Sequence, residues 1–211
     1  AASDVYKRQV VNGDWLTELL RQCAHPGGAA ICGAMLWYPD ETIQHAGIVT
    51  GLGGYAGHSH KYKKKGGSGY LFRTSTVQDF SGVTGACLLV KTAVYDEMHG
   101  LDEQFAVAFN DVDFCLRVRD AGYRIAWTPY AELVHYESKS RGGDEKDPVK
   151  AARFAAEQQR LYTIHGKENI LDDPYYNPNL TRDREDFSES DDLRRLKEGR
   201  VTVRFRGGTL Q

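Results

Sequence analysis

The 211 residues are 41% hydrophobic and 27% charged, enough apolar material to bury a sizeable core. A formal net charge of -2 gives no electrostatic reason to expect nucleic acid as the main partner, and no apolar run reaches the length of a membrane-spanning helix. The first residues lack a signal peptide's hydrophobic core. Cys23, Cys32, Cys87 and Cys115 form no Cys-x-x-Cys pair, so the expectation is a reduced, cytoplasmic protein whose membrane association, if any, is peripheral at the inner face.

Residues 1–9 show no sustained period and resemble translated adapter sequence, so they are set aside as a non-native leader. Leu16, Leu19, Leu20 and Cys23 share one face at helical spacing, which predicts a helix over 14–23 with Asp14 as its cap. Ala29 to Tyr38 is a continuous apolar run between breakers, expected as a strand buried on both faces. Thr42 to Thr50 reads as a second extended piece carrying His45. Gly51 to Gly69 holds seven glycines, His58, His60 and the run Lys61-Tyr62-Lys63-Lys64-Lys65. It reads as an unstructured loop, either a lid whose lysines meet an anion or a solvated excursion.

Val83 to Val90 is expected as a central strand in which Gly85 and Ala86 leave room beside the backbone. Thr92 caps a short helix that Gly100 ends. Asn110 to Ala121 predicts an amphipathic helix capped by Asn110 and terminated by Gly122. Tyr123 to Trp127 and Ala131 to Tyr136 read as two strands separated by Pro129. Asp147-Pro148 opens a helix that runs to about His165. Asp172 to Asn179 is too rich in proline for regular structure, Ser188 to Glu198 is a candidate short helix, and Val201, Val203 and Phe205 alternate like an edge strand. Strands separated by short helices indicate a layered α/β domain.

The chemistry concentrates at Asp111 and Asp113. A carboxylate at a helix N-terminus is favoured as an anion by unpaired N–H groups and the helix dipole, which suits a general base and equally an ordinary cap. Asp113, two residues on, cannot share the direction of Asp111 on a helix and reads as structural, the partner of an Asn110 cap. His45, His58 and His60 lack metal-ligand spacing with any carboxylate, and Trp127 reads as core.

Several segments in their shared order resemble family 2 glycosyltransferases over about residues 14–187. They are Gln44-His45-Ala46-Gly47, Thr84-Gly85-Ala86-Cys87, Gly100-Leu101-Asp102-Glu103, Asn110-Asp111-Val112-Asp113, Trp127-Thr128-Pro129, His135-Tyr136-Glu137-Ser138, Ser140-Arg141-Gly142 and Asp173-Pro174-Tyr175-Tyr176-Asn177-Pro178. The resemblance implies an inverting, nucleotide-sugar-dependent enzyme of GT-A fold. It gives Asp111 the role of base, with Asn110 standing where the family has Glu. Gly85, Asp102, Glu103 and Asn110 fall on the acceptor side. His135 falls where a divalent metal, Mg2+ or Mn2+, is held, and Arg141 where a diphosphate oxygen is met. The segment from Val10 to Leu16 resembles the sequence just after the family's Asp-x-Asp motif.

The fold expected is therefore an incomplete GT-A-like α/β domain lacking its N-terminal nucleotide-binding strands. Residues 10–166 form its acceptor and base part, and 167–211 an irregular extension. The function implied is sugar transfer from a nucleotide-sugar to a saccharide in cell-surface polysaccharide synthesis, with this chain inactive alone. The alternative is a non-catalytic carbohydrate- or partner-binding module on the same scaffold. A third reading, nucleic-acid binding through Lys61 to Lys65, rests on one basic run.

Overall fold

The computed structural model describes residues 8–10, 13–136, 148–191, 204–205 and 208–209. Two long strands form the centre of a mixed sheet: β2 (Ile31–Trp37), buried at every position, and β8 (Ile125–His135), parallel to it. The other edge of β2 is covered by two antiparallel strands, β7 (Leu88–Val90) beside its start and β3 (Ile43–His45) beside its end. The other edge of β8 is covered by β6 (Gln78–Asp79) and by β1 (Arg8–Val10). Residues 8 and 9, set aside on sequence grounds, thus pair in the sheet. A β4–β5 hairpin (Ile48–Thr50, Ala56–His58) and a short β9–β10 pair (Arg204–Phe205, Gly208–Thr209) stand apart from it.

Each face of the sheet carries its own apolar layer. Cys32, Ala34 and Leu36 alternate toward α1 (Trp15–Ala24), where Leu19 and Cys23 are buried. Ile31, Met35 and Trp37 face the opposite layer, which holds Phe114 and Val118 of α3 (Asn110–Asp120) with Phe80, Val83 and Trp127. Period-two alternation on a doubly covered strand explains why the run reads as continuously apolar. At Gly33 an added Cβ would lie 2.5 Å from the Cβ of Val83, so close approach demands glycine there.

Several expectations are corrected. Of Val83 to Val90, only Leu88–Val90 is strand, and it lies beyond β2 rather than at the centre; residues 85–87 form a turn and bend that place Gly85 at the surface. The two strands expected around Pro129 are one strand. Its register slips between Ala34 and Met35, and the bulge accommodates a residue with no N–H to donate. Leu16 and Leu20 are 46% and 45% exposed, so α1 buries only the narrower Leu19–Cys23 stripe. The residue capping α2 (Thr92–Glu97) is Lys91, not Thr92. Asp14 precedes α1 without a side-chain cap bond.

The loop over 51–69 is not structureless. It contains β5, and His60 is buried, with its Nε2 accepting from the Tyr70 N–H at 3.0 Å and its ring stacked on Phe187 at 4.1 Å. Tyr62 stacks on Tyr38, and the Lys65 ammonium lies 3.3 Å from Glu132. The glycines supply left-handed turns while the aromatic and histidine side chains supply the anchoring. Residues 192–198 of the helix expected after Ser188, and Val201 and Val203, lie outside the described residues.

Candidate functional site

Helix α3 begins abruptly. Phe109, not Asn110, is its N-cap, held at φ 64° by burial of its ring against Tyr55 and Phe154, with centroids 5.4 and 5.1 Å away. A left-handed phenylalanine is costly, so packing must over-determine it. The result is a sharp entry that presents Asn110 and Asp111 at the helix start. Asn110 Oδ1 accepts the N–H of Asp111 at 2.7 Å. Asp111 Oδ1 accepts from Val112 at 2.9 Å, and Oδ2 accepts from the N–H of Gly85 at 2.8 Å. Gly122, at φ 87°, closes the helix as expected.

The Gly85 turn is itself propped from below. His45 is fully buried on β3, and its Nε2 accepts from the N–H of Thr84 at 3.4 Å and of Gly47 at 3.3 Å. Burial first, and then the neighbouring His58, hold its pKa well below the usual value, so the ring stays neutral and keeps an acceptor nitrogen. Sequence reading left His45 unassigned. The signal available was its place in Gln44-His45-Ala46-Gly47, within a fully buried strand.

Asp113 is structural, as expected, but not as a partner for an Asn110 cap. It is buried, with Oδ2 2.8 Å from Arg117 Nη2 and Oδ1 2.9 Å from His165 Nε2. Arg117 also donates to the carbonyls of Met98 and Gly100, tying the acidic loop to α3. In that loop Asp102 is engaged on both oxygens: Oδ2 receives Arg160 Nη2 at 2.6 Å and Oδ1 the N–H of Gln104 at 2.9 Å. The Arg160 bond, then the Gln104 bond, lower the Asp102 pKa. Glu103 is exposed.

Helix α4 (Pro148–His165) therefore contributes three contacts that sequence reading missed. Buried Glu157 accepts the N–H groups of Val107 and Ala108 at 3.2 and 2.7 Å, Arg160 holds Asp102, and His165 holds Asp113. With buried Leu161, positions 157, 160, 161 and 165 follow the helical period and form one face.

His135 belongs to a different neighbourhood. Its Nδ1 lies 2.8 Å from the side-chain amide of Gln44. Gln44 and His45 are consecutive on β3 and point to opposite faces, one toward His135 and the other toward Thr84. The Gln44 amide N–H donates to Nδ1, which puts the proton of the neutral ring on Nε2. Among the described residues no group of three or more His, Cys, Asp and Glu side chains is arranged to hold a metal ion. His135 is thus at most one ligand, and these residues do not by themselves fit a metal centre. Arg141 lies outside the described residues.

No family model matches the chain. It is 47% identical over 180 residues to an uncharacterized protein of Sinorhizobium fredii, an alignment covering 85% of this chain and 20% of that protein. It is 34% identical over 174 residues to the O-antigen biosynthesis protein RfbC of Myxococcus xanthus, covering 82% of this chain and 13% of that one. An 80-residue stretch is 32% identical to an N-acetylglucosaminyl-diphospho-decaprenol L-rhamnosyltransferase of Mycobacterium tuberculosis, covering 38% of this chain and 24% of the transferase. By name, the Myxococcus and Mycobacterium relatives point to glycosyltransferases. The chain spans between 13% and 24% of the length of the curated relatives it matches. The mixed α/β architecture is compatible with such a fold, and no helix among the described residues is long and apolar enough to cross a membrane.

Proposed function

We propose that this chain carries the base and acceptor side of an inverting glycosyltransferase that uses a nucleotide-sugar donor in polysaccharide synthesis. The observation that carries this reading is the half-buried Asp111 carboxylate, oriented by the N–H groups of Val112 and of the exposed Gly85. An acceptor hydroxyl placed beside Gly85 donates its hydrogen bond to Asp111. As that oxygen attacks the anomeric carbon, its proton passes to the carboxylate, the new glycosidic C–O bond forms, and the bond to the nucleoside diphosphate breaks on the opposite face. One base suffices, whereas a glycosidase needs two carboxyl groups flanking the bond.

Asn110 fixes the start of the helix through the Asp111 N–H, and the Gly100–Glu103 loop, held by Arg117 and Arg160, borders the same helix. Asp102 and Glu103 are the proposed acceptor contacts, with Glu103 the more available because Asp102 is already paired. Arg141 remains the proposed diphosphate contact. A divalent metal would neutralise the departing diphosphate, with His135 as a single contributor to its site. Under this proposal the 211 residues alone carry out no transfer.

The test is Asp111→Asn in the longest natural form of the protein. Transfer should fall by about 10²–10⁴-fold, with the far-ultraviolet spectrum and melting temperature near wild type. Undiminished transfer by a folded Asp111→Asn protein would remove the base assignment. Absence of transfer by the wild-type protein in that form would instead favour the non-catalytic module.

A further inference from the structure

The segment Asp173 to Pro178 is left unused by the reading above, yet it walls a cleft of about 390 Å³. Tyr70, Arg73, Tyr175, Tyr176, Asn177 and Phe187 line it. That volume lies within the range of small-molecule sites. The Arg73 guanidinium is packed between rings, its Cζ 4.8 Å from the centroid of Phe80 and 5.6 Å from that of Phe187. Its Nε and Nη2, the edge that grips an oxyanion with two parallel bonds, are buried with no hydrogen-bond acceptor among the described residues.

Asp173 does not take up that edge. Its Oδ2 accepts from the N–H and hydroxyl of Thr50, at 2.7 and 3.1 Å, and its Oδ1 from the N–H of Tyr175 at 2.7 Å. Burial accordingly pulls the Arg73 pKa down, against the opposing influence of Asp173 and the tyrosines. Two guanidinium N–H groups kept from water without an acceptor are costly, and an anion reaching them from the cleft would recover that cost. The remaining walls suit a sugar. Tyr70 and Tyr175 offer ring faces, and Asn177, bonded to the Tyr70 hydroxyl at 3.1 Å, adds amide polarity.

We propose that this cleft binds the oxyanion of a charged saccharide, a sugar carboxylate or a sugar phosphate, on the guanidinium of Arg73. The saccharide part rests on the transferase reading; the oxyanion part does not. The experiment is a titration of the 211-residue chain followed at the Arg73 Nε–H resonance, with D-glucuronate, glucose 6-phosphate, inorganic phosphate and D-glucose as separate probes.

A saturable shift with glucuronate or glucose 6-phosphate is expected, at least about tenfold tighter than with inorganic phosphate, and none with glucose. Which sugar anion binds distinguishes carboxylate from phosphate. In Arg73→Lys, which keeps the charge and loses the fork, binding should weaken at least about tenfold. Should that variant not fold, the wild-type resonance still decides. No saturable shift with either sugar anion overturns the inference. Equal binding of inorganic phosphate and glucose 6-phosphate, with none of glucuronate, overturns its saccharide part. Neither failure bears on Asp111, whose variant is judged by transfer alone.

Discussion

At the level of single residues, the site depends on groups that must stay uncharged as much as on those that carry charge. His45 props the turn under Gly85 with a neutral ring, and His60 pins the Gly51–Gly69 segment between Tyr70 and Phe187. Burial lowers both pKa values, that of His60 to about 3, with Lys63 and Arg73 adding to the effect there. Both groups therefore bind fewer protons folded than unfolded. Their contribution is fully present above the unfolded value near 6.5 and is lost as pH falls below it. Each removes about 1.4 kcal/mol per pH unit below that point, for His60 until the pH approaches 3. Urea melts at pH 7.5 and pH 5 should show this loss. His60→Gln should shrink the difference, and a difference unchanged by that substitution would contradict the assignment.

At the scale of elements, α4 decides where the α3 entrance sits. Its Glu157 holds the two N–H groups just before Phe109, while Arg160 and His165 hold Asp102 and Asp113. Burial of Phe105, Phe109, Val112, Leu116 and Leu161 forms the apolar seam beneath these polar contacts. Each such side chain contributes roughly 1.5–3 kcal/mol as an upper estimate. Glu157→Ala leaves two N–H groups without their acceptor, at about 1–3 kcal/mol each, and loosens the segment leading to Asp111. Hydrogen exchange at Val107 and Ala108 should accelerate in that variant, and Glu157→Gln, which keeps one acceptor oxygen, should restore part of the protection. Unchanged exchange would mean that α4 does not position the site.

Across the whole molecule, the sheet brings together pieces far apart in sequence because its central strands are clad on both faces. The close contact of Gly33 with Val83 lets the segment leading to the Gly85 turn lie directly on β2. Gly33→Ala forces that segment away and should destabilise the fold by about 1–3 kcal/mol, read as a lower urea midpoint. A midpoint within error of wild type would show that Val83 moves aside freely.

Local pattern alone determined the buried β2, the existence of α1, α3 and α4 and the Gly122 stop, whereas the base role proposed for Asp111 came from the resemblance. Periodicity, breakers and an acidic helix start are all written in neighbouring residues. The family resemblance came from short segments in shared order, and the relatives support it as far as sugar transfer in polysaccharide synthesis. Tertiary structure decided the rest. Phe109 took the cap position from Asn110 because ring burial outweighed a local side-chain cap. Asp113 went to Arg117 and His165 because α4 brings a buried histidine from 52 residues away. The apparent lid became ordered because His60 and Tyr62 found distant rings to stack on. Contacts such as Asp113 with His165 and His60 with Phe187 depend on which elements meet in space, and no short window along the chain contains both partners.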